Sequence, residues 1–471
     1  MTIKIMHIGH GFLPMRTGGS IKNAMNLMKF QAKKGNEVHY FFSGRYYPFS
    51  KTMIKNYKKD GIIMHELINS PILPSKCALE NKKEVYEFEN LFREIIKSNK
   101  PDIIHIQEIL GLPYSLIDIL KEELGIPIVM TLHDYYPLCP TVKLYRIDKT
   151  ICSENEVGPM CLLCCNNFEG RAYFLLATVA YHLEKFKIPV FNIYNRIFKF
   201  IQNIRSDKIK DPKINFPVTP IYNYEKISNL YQDRRDSNIL KLKKIDSFIS
   251  PSTKTKEIYQ TFLGEDSQIF IVQNLLNHFN NINFKKTRHY DNSINFGVLN
   301  GFSSVEKGSQ FLLETIDILK SYSNRYNIYI LGEIDKSREL ELNKHENVII
   351  KGHYDTKDLD NILDAIDVGI IPSVWEEVYG FVGLEFLSKG IPVIGNNLGG
   401  ITEYTIDNIT GWVNVDSSPK ELSNIMINII KNPEQINELN QRIFNIRNEI
   451  LRPYEEYEKE VENVYMKVLN R

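Results

Sequence analysis

Short apolar runs that stop at Gly, Pro or His alternate along this chain with segments whose apolar residues recur at helical spacing. "IKIMHIG", the segment 20–34, "EVHYFFSG", "PDIIHIQ", 113–124 and "IPIVMTLHD" follow one another in this rhythm. Strand-length runs separated by helix-period segments predict βαβ units and a parallel sheet. The rhythm breaks after Cys139, through a cysteine-bearing loop and the aromatic-rich segment 171–205. It resumes at "IDSFISPS" and "QIFIVQN", which read as the last strands of the same domain. The polar stretch 277–293 has the composition of an interdomain linker. A second series then runs through "INFGVLNG", "YNIYILG", "NVIIKG", "DVGIIPS", "IPVIG" and "GWVNV". The expectation is an α/β chain of two Rossmann-like, doubly wound domains, residues 1–285 and 293–452. The first carries an insertion at about 139–210, and a final helix, 453–471, is expected to cross back to it. Two such domains facing each other leave a ligand cleft at the carboxyl ends of both sheets.

Length agrees with two cores, because 471 residues exceed what one ordinary domain organises. With 43% apolar residues and a formal net charge of +1, the composition is globular and lacks the basicity of a nucleic-acid binder. The apolar run at the N-terminus is shorter than a signal-peptide core, and no stretch of about 18 uncharged apolar residues occurs, so no transmembrane helix is expected. The expected location is the cytoplasm, where the six cysteines read as thiols or metal ligands rather than disulfides.

Candidate chemistry clusters at strand ends. After the first strand, Gly9 and Gly11 begin a glycine-rich loop, but Pro14 stands where a dinucleotide fingerprint needs its third glycine, which disfavours a nicotinamide enzyme. Gly18 and Gly19 precede a helix, where glycines let backbone amides approach an anion; a plain strand-to-helix turn is the alternative. His133 ends an apolar strand and is placed to donate to a phosphate or a sugar hydroxyl, or simply to cap its own strand. Asp134 reads as a loop-orienting residue, and His105 is a weaker candidate at another strand end. In the second series, Lys307 stands at a helix start, suited to a leaving diphosphate or to solvent. Gly399 and Gly400 again precede a helix with amides suited to phosphate.

The stretch "SVWEEVYGFVGLEFLSKGIPVIG" sets Glu377 and Glu385 eight positions apart, followed by Gly390-Ile391-Pro392-Val393 and then Gly399-Gly400-Ile401-Thr402-Glu403. These motifs, with Lys307-Gly308, resemble the retaining nucleotide-sugar glycosyltransferases of family 4, which have the two-domain GT-B fold. The resemblance spans nearly the whole chain. It implies that Glu385 holds the donor ribose and that Glu377 lies beside the transferred sugar. Lys307, His133 and the Gly18-Gly19 amides would then stabilise the departing nucleotide diphosphate without a catalytic metal. Eight positions span about two helical turns, enough to reach opposite ends of a diphosphate, whereas a retaining hydrolase needs its carboxyls about 5 Å apart. One departure stands out: the family's arginine position holds Phe302, leaving open what meets the second half of the leaving charge, with Arg16 as a further candidate.

A bacterial subset of the family also has a cysteine after its His-Asp and then a cysteine-bearing loop. Here Cys161-x-x-Cys164, with Cys139 and Cys152 at looser spacings in the same loop, is adequate for a structural four-cysteine zinc site, with buried thiols and a redox or disulfide role as alternatives. Residues 183–210 carry seven basic against two acidic side chains, with Ile193, Ile197, Phe200, Ile201 and Ile204 on one helical face. Such a helix suits peripheral docking on an anionic membrane bearing a lipid-linked acceptor, or packing on its own domain with lysines outward. The function expected is transfer of a sugar from a nucleotide-diphosphate sugar to a saccharide or lipid-linked acceptor in cell-surface polysaccharide or glycolipid synthesis. The rival is a non-catalytic sugar-nucleotide-binding subunit; a sugar-nucleotide epimerase has no specific marker.

Overall fold

A computed structural model of the chain describes residues 2–11, 16, 18–72, 82–152, 157–165, 171–185, 221–285, 293–302, 304–320, 322, 325–334 and 336–470. The basic helix expected near 193–204, with Arg196, Lys199 and Arg205, lies outside the described residues.

Two compact units divide the chain. The first comprises Met1–Ile249, Gln260–Phe270 and Val461–Arg471; the second comprises Ser250–Tyr259 and Ile271–Glu460. The chain therefore enters the second unit before the polar stretch at 277–293. Asn277–Asn281 forms a 3-10 turn whose Phe279 is buried, and the amide of Lys285 donates to the carbonyl of Lys389. Polar residues there satisfy the second unit's backbone and side chains instead of facing solvent as a linker: Asn283 bonds Asp360 through its amide nitrogen and its side chain.

The first unit is built on an eight-stranded sheet. Its strands in chain order are β1 (Lys4–Gly9), β2 (Glu37–Ser43), β3 (Met53–Lys59), β4 (Ile62–Ile68), β5 (Ile103–Ile106), β6 (Ile128–Thr131), β7 (Ser247–Ser250) and β8 (Ile269–Ile271). Across the sheet the order is β3-β4-β2-β1-β5-β6-β7-β8. Central strands such as β5 and β6 are buried at every position, as parallel strands covered on both faces must be. The hairpin of β3 and β4, absent from the sequence reading, is antiparallel. Its edge strand "MIKNYKK" is exposed or half-buried throughout and carries three lysines, which keep a free sheet edge from pairing with another chain.

The second unit holds six parallel strands, β9 (Ile294–Leu299), β10 (Tyr326–Leu331), β11 (Val348–Gly352), β12 (Val368–Ile371), β13 (Val393–Asn396) and β14 (Gly411–Asn414), in the order β11-β10-β9-β12-β13-β14. Phe296, Val298, Ile328, Ile330 and Ile370 pack against Leu312 and Ile316 of helix Ser309–Leu319 and Met426 and Ile429 of helix Pro419–Lys431. Each such side chain contributes about 1.5–3 kcal/mol on burial. Helix Pro419–Lys431 starts where Ser418 Oγ accepts from the amide of Glu421 at 3.1 Å, with Pro419 in the first turn, where its missing N–H is no loss. Both sheets turn their strand C-termini into loops that carry the candidate residues.

Candidate functional site

In the second unit, Lys307 and Glu377 meet, seventy positions apart. Lys307 Nζ lies 2.6 Å from Glu377 Oε1 and 2.8 Å from Oε2, and Trp375 Nε1 donates to Oε2 at 3.0 Å. The ammonium also lies 5.5 Å from the centre of the Trp375 ring. Glu377 is buried, and Lys307 opens partly to solvent. The loops are held by Val374, whose amide donates to the Glu306 carbonyl, and by Gly308, left-handed at φ 93°. A Cβ on Gly308 would stand 2.0 Å from the Pro372 carbonyl oxygen, so only glycine lets these loops touch. These three hydrogen bonds fix the orientation of the Glu377 carboxylate. Lys307 accordingly does not present a free charge to a ligand, as the sequence suggested; one N–H remains beyond its two contacts.

Gly399 and Gly400 hold a different place from the one expected. The amide of Gly399 donates to Glu376 Oε2 at 2.7 Å and that of Gly400 to the Glu377 carbonyl at 2.5 Å. A Cβ on Gly399 would meet the Glu377 backbone at 2.2 Å. The pair lets the loop 376–379 lie directly on it, and both amides are engaged within the protein instead of facing a phosphate. Glycine pairs before a helix look alike in sequence whether their amides are open or covered.

Glu385 lies in helix Phe381–Ser388, buried, with Oε1 2.9 Å from His278 Nε2. Among the described residues its Oε2 has no hydrogen bond. Tyr354 stands close enough for that carboxylate to add to the burial that raises its phenol above the ordinary range. His278 was missed because it lies in the polar stretch read as linker. Tyr404 was missed too: its hydroxyl is buried with no partner among the described residues, and burial first, then the charge of Glu377, raise its pKa. Phe302 is buried in the core with Val298 and Leu312, so that position carries no cation. Arg338 reaches the first residue of helix Ser309–Leu319, its Nη1 bonded to Ser309 Oγ.

In the first unit, Gly18 caps helix Gly19–Lys33 and its carbonyl accepts from the amide of Lys22 at 3.1 Å. Arg16 lies against the ring of Phe174. His133 follows β6, and its Nε2 is 2.9 Å from Gln107 Oε1. Since that oxygen only accepts, Nε2 carries the proton. Burial brings the His133 pKa down to about 3, so the ring is neutral at physiological pH and its remaining Nδ1 is an acceptor. Donation from His133 to a phosphate, expected from sequence, does not fit this arrangement. Asp134 Oδ1 accepts from the amide of Tyr136 at 2.8 Å and shapes the loop.

The four cysteines come near one another. Burial raises the Cys152 pKa to about 11, helped by Cys139, Cys161 and Cys164, and burial raises Cys161 and Cys164 likewise. Cys139 Sγ bonds Thr141 Oγ1 at 3.2 Å. Among the described residues no three His, Cys, Asp or Glu side chains are arranged to hold a metal ion. Cys165 is disulfide-bonded, where thiols or metal ligands were the expectation.

Residues 280–445 match the family described as Glycosyl transferases group 1, and residues 17–152 match Glycosyltransferase Family 4. The first span takes in Lys307, Glu377 and Glu385, the second Gly18, Gly19 and His133. Each match covers less than half of the chain, and with the two α/β units they are consistent with the two-domain GT-B fold. The chain is 33% identical over 116 residues to an uncharacterized 41.2 kDa protein in the cps region of Klebsiella pneumoniae, covering 24% of this chain and 31% of that one. It is 26% identical over 124 residues to a lipopolysaccharide 1,2-N-acetylglucosaminetransferase of Salmonella typhimurium, covering 24% and 32%. The matched length is thus about a third of each of these relatives. The fold is similar to that of Anabaena HepE in complex with UDP and glucose, with a TM-score of 0.60, 12% identity and coverage of 98% of this chain and 99% of that one. Among the described residues no helix is long and apolar enough to cross a membrane.

Proposed function

We propose that the protein transfers a sugar, with retention, from a nucleotide-diphosphate sugar to an acceptor hydroxyl in cell-surface polysaccharide or glycolipid synthesis. The observation that carries this reading is the arrangement of the second unit's two carboxylates. Among the described residues Glu385 keeps one oxygen without a partner, as a ribose-binding carboxylate needs, while Glu377 is locked in place by Lys307 and Trp375. In this reading Glu385 accepts from the donor ribose. Glu377, fixed and negative, stands beside the transferred sugar, where positive charge develops as the nucleotide leaves. The remaining N–H of Lys307 meets the departing diphosphate. The relatives' printed activities and the UDP complex of a similar fold support a nucleotide sugar and make uridine the first base to try. The acceptor is a saccharide or a lipid-linked saccharide, reached with the protein peripheral on the inner face of the membrane.

A second reading, a sugar-nucleotide-binding subunit without turnover, is favoured by the burial of Phe302 where the family carries an arginine. The two part on one experiment. The purified protein is titrated with UDP, GDP and ADP by thermal shift, then assayed for hydrolysis and transfer with the matching nucleotide sugars. Glu377→Ala is expected to bind the free nucleotide diphosphate as the wild type does and to lose turnover. Binding without turnover in the wild type would establish the subunit reading, and no binding of any nucleotide would refute both.

A further inference from the structure

Six side chains of the first unit form one connected hydrogen-bond circuit that reaches His133. His7 on β1 stands opposite His105 on β5, their rings 5.1 Å apart. His7 Nε2 lies 2.8 Å from Gln31 Oε1, and Gln31 Nε2 donates to Tyr465 Oη at 3.2 Å. Tyr465 Oη is 2.6 Å from His105 Nδ1, and His105 Nε2 is 2.7 Å from Thr131 Oγ1. Gln107 Nε2 lies 3.0 Å from His7 Nδ1 and spans the His105 ring at 3.1 Å from Nδ1 and 3.3 Å from Nε2, while its Oε1 takes the proton of His133 Nε2. All six of these partners are buried.

The orientation of the two glutamine amides gives this circuit one proton order. Gln107 Nε2 has only protons to give, so His7 Nδ1 accepts; Gln31 Nε2 likewise donates to the Tyr465 hydroxyl, which gives its own proton to His105 Nδ1. The protons of His7 and His105 then sit on Nε2, facing Gln31 Oε1 and Thr131 Oγ1. The opposite order requires Gln31 and Gln107 to turn over together. One ring nitrogen stays outside the bookkeeping: His133 Nδ1 is buried and has no partner among the described residues. A buried acceptor without a partner marks a place where a donor arrives.

We infer that Tyr465, on the C-terminal helix Tyr454–Leu469, is a positioning residue that keeps the proton of His133 on Nε2 through Gln31, His7 and Gln107. His133 thereby turns a bare Nδ1 to the substrate, as acceptor for a hydroxyl of the donor sugar or of the acceptor saccharide. The inference rests on the glycosyltransferase reading for the identity of that hydroxyl, whereas the proton order stands without it. A protonless nitrogen repels phosphate oxygens, which separates this role from charge stabilisation of the leaving group.

The test uses the full-length protein labelled with 15N-histidine, with the His133 signals assigned by their loss in His133→Gln. At neutral pH the wild type is expected to show a protonated Nε2 and an unprotonated Nδ1 at His133. Tyr465→Phe, which removes one oxygen from the circuit, is expected to give mixed tautomers at His105 and His133. Turnover should fall about 10-fold, the lower end for hydrogen-bond partners that orient a functional histidine, with nucleotide diphosphate affinity unchanged. A proton on His133 Nδ1 in the wild type, or His133 signals untouched by Tyr465→Phe, would overturn the inference. For the hydroxyl, His133→Ala that weakens the nucleotide sugar but not the free nucleotide diphosphate assigns it to the donor. A change in acceptor KM alone assigns it to the acceptor, and unchanged transfer overturns the substrate role while leaving the proton order to the spectra.

Discussion

Acid should unfold the first unit well before its carboxylates titrate, because that unit buries four imidazoles in their neutral form. Burial brings the pKa of His7 and of His65 down to about 4 and that of His133 to about 3; His105, beside His7 and His133, is also pushed well below the ordinary value. In the unfolded chain each ring titrates near 6.5, so as pH falls through that value the unfolded state takes protons that the folded state refuses. Stability is therefore complete above about pH 6.5 and declines below it, by about 1.4 kcal/mol per pH unit for each ring, until the folded pKa is reached. At pH 5 each ring has lost about 2 kcal/mol, and four rings about 8 kcal/mol, which is comparable with the whole stability of an ordinary domain.

The assay is urea unfolding at pH 7.5, 6 and 5, followed by two probes. Both tryptophans, Trp375 and Trp412, lie in the second unit, so indole fluorescence follows that unit while amide circular dichroism follows both. The acid loss should appear in dichroism ahead of fluorescence, and the slope of stability against pH should shrink by one proton in His65→Gln. Paired carboxylates such as Asp118 and Asp360 also have lowered pKa values, but their contribution is lost only below about pH 4. A dichroism transition that does not move between pH 7.5 and 5 would refute the neutral, buried imidazoles on which the proton order also depends.

Lys307→Met should destabilise the second unit by about 3 kcal/mol, because it leaves Glu377 buried with Trp375 alone, and Lys307→Met with Glu377→Gln should recover most of the melting temperature. A single variant as stable as the wild type would show that the pair is not held as described. Glu385→Ala should lower nucleotide diphosphate affinity by about 1.5–3 kcal/mol, the range for a hydrogen bond to a charged group. His278→Ala should weaken binding less, with His278→Gln restoring it by replacing the Nε2 donor; equal losses in Ala and Gln would assign His278 to packing. Phe302→Arg, which restores the family's residue, should lower stability by several kcal/mol and not raise turnover, since it puts a guanidinium among Val298 and Leu312; a gain in nucleotide affinity would contradict the placement of that side chain.

The fold was legible because strands buried on both faces, such as "DVGIIPS" and "IPVIG", fit a parallel sheet covered by helices. The hairpin β3–β4 was not, since "MIKNYKK" is an edge strand kept polar, and its alternation is hidden by lysines that guard the edge. In the site, the eight-position spacing of Glu377 and Glu385 was readable as a motif, but what holds each acid was not. Lys307 reaches Glu377 across 70 positions, and His278 reaches Glu385 across 107. No local pattern encodes such pairs. The same limit explains the glycines: Gly399-Gly400 was read as an open anion cradle, and only the loop lying on it shows that its amides are engaged. His133 was rightly noticed at a strand end, yet its chemistry is set by Gln107, and through it by Tyr465, more than three hundred positions away.

These placements bear on how a leaving diphosphate would be met. A family-like site with two free cations could neutralise most of that charge directly. Here Phe302 contributes none, the Gly399-Gly400 amides are engaged, and Lys307 is already matched by Glu377. The Lys307–Glu377 pair is nearly neutral as a unit, so its attraction to a diphosphate is that of a dipole, which falls off faster with distance than a charge. What remains is one N–H of Lys307, the first amides of helix Ser309–Leu319, which have no side-chain cap, and Arg338, bonded at that helix's first residue. Such donors act only on an oxygen within hydrogen-bond reach, so they favour the charge where it finally accumulates over a ligand held farther away. A site built this way gives up long-range pull on the donor and keeps stabilisation for the moment the bond breaks, which is why losses in Lys307 variants are expected in turnover more than in nucleotide affinity.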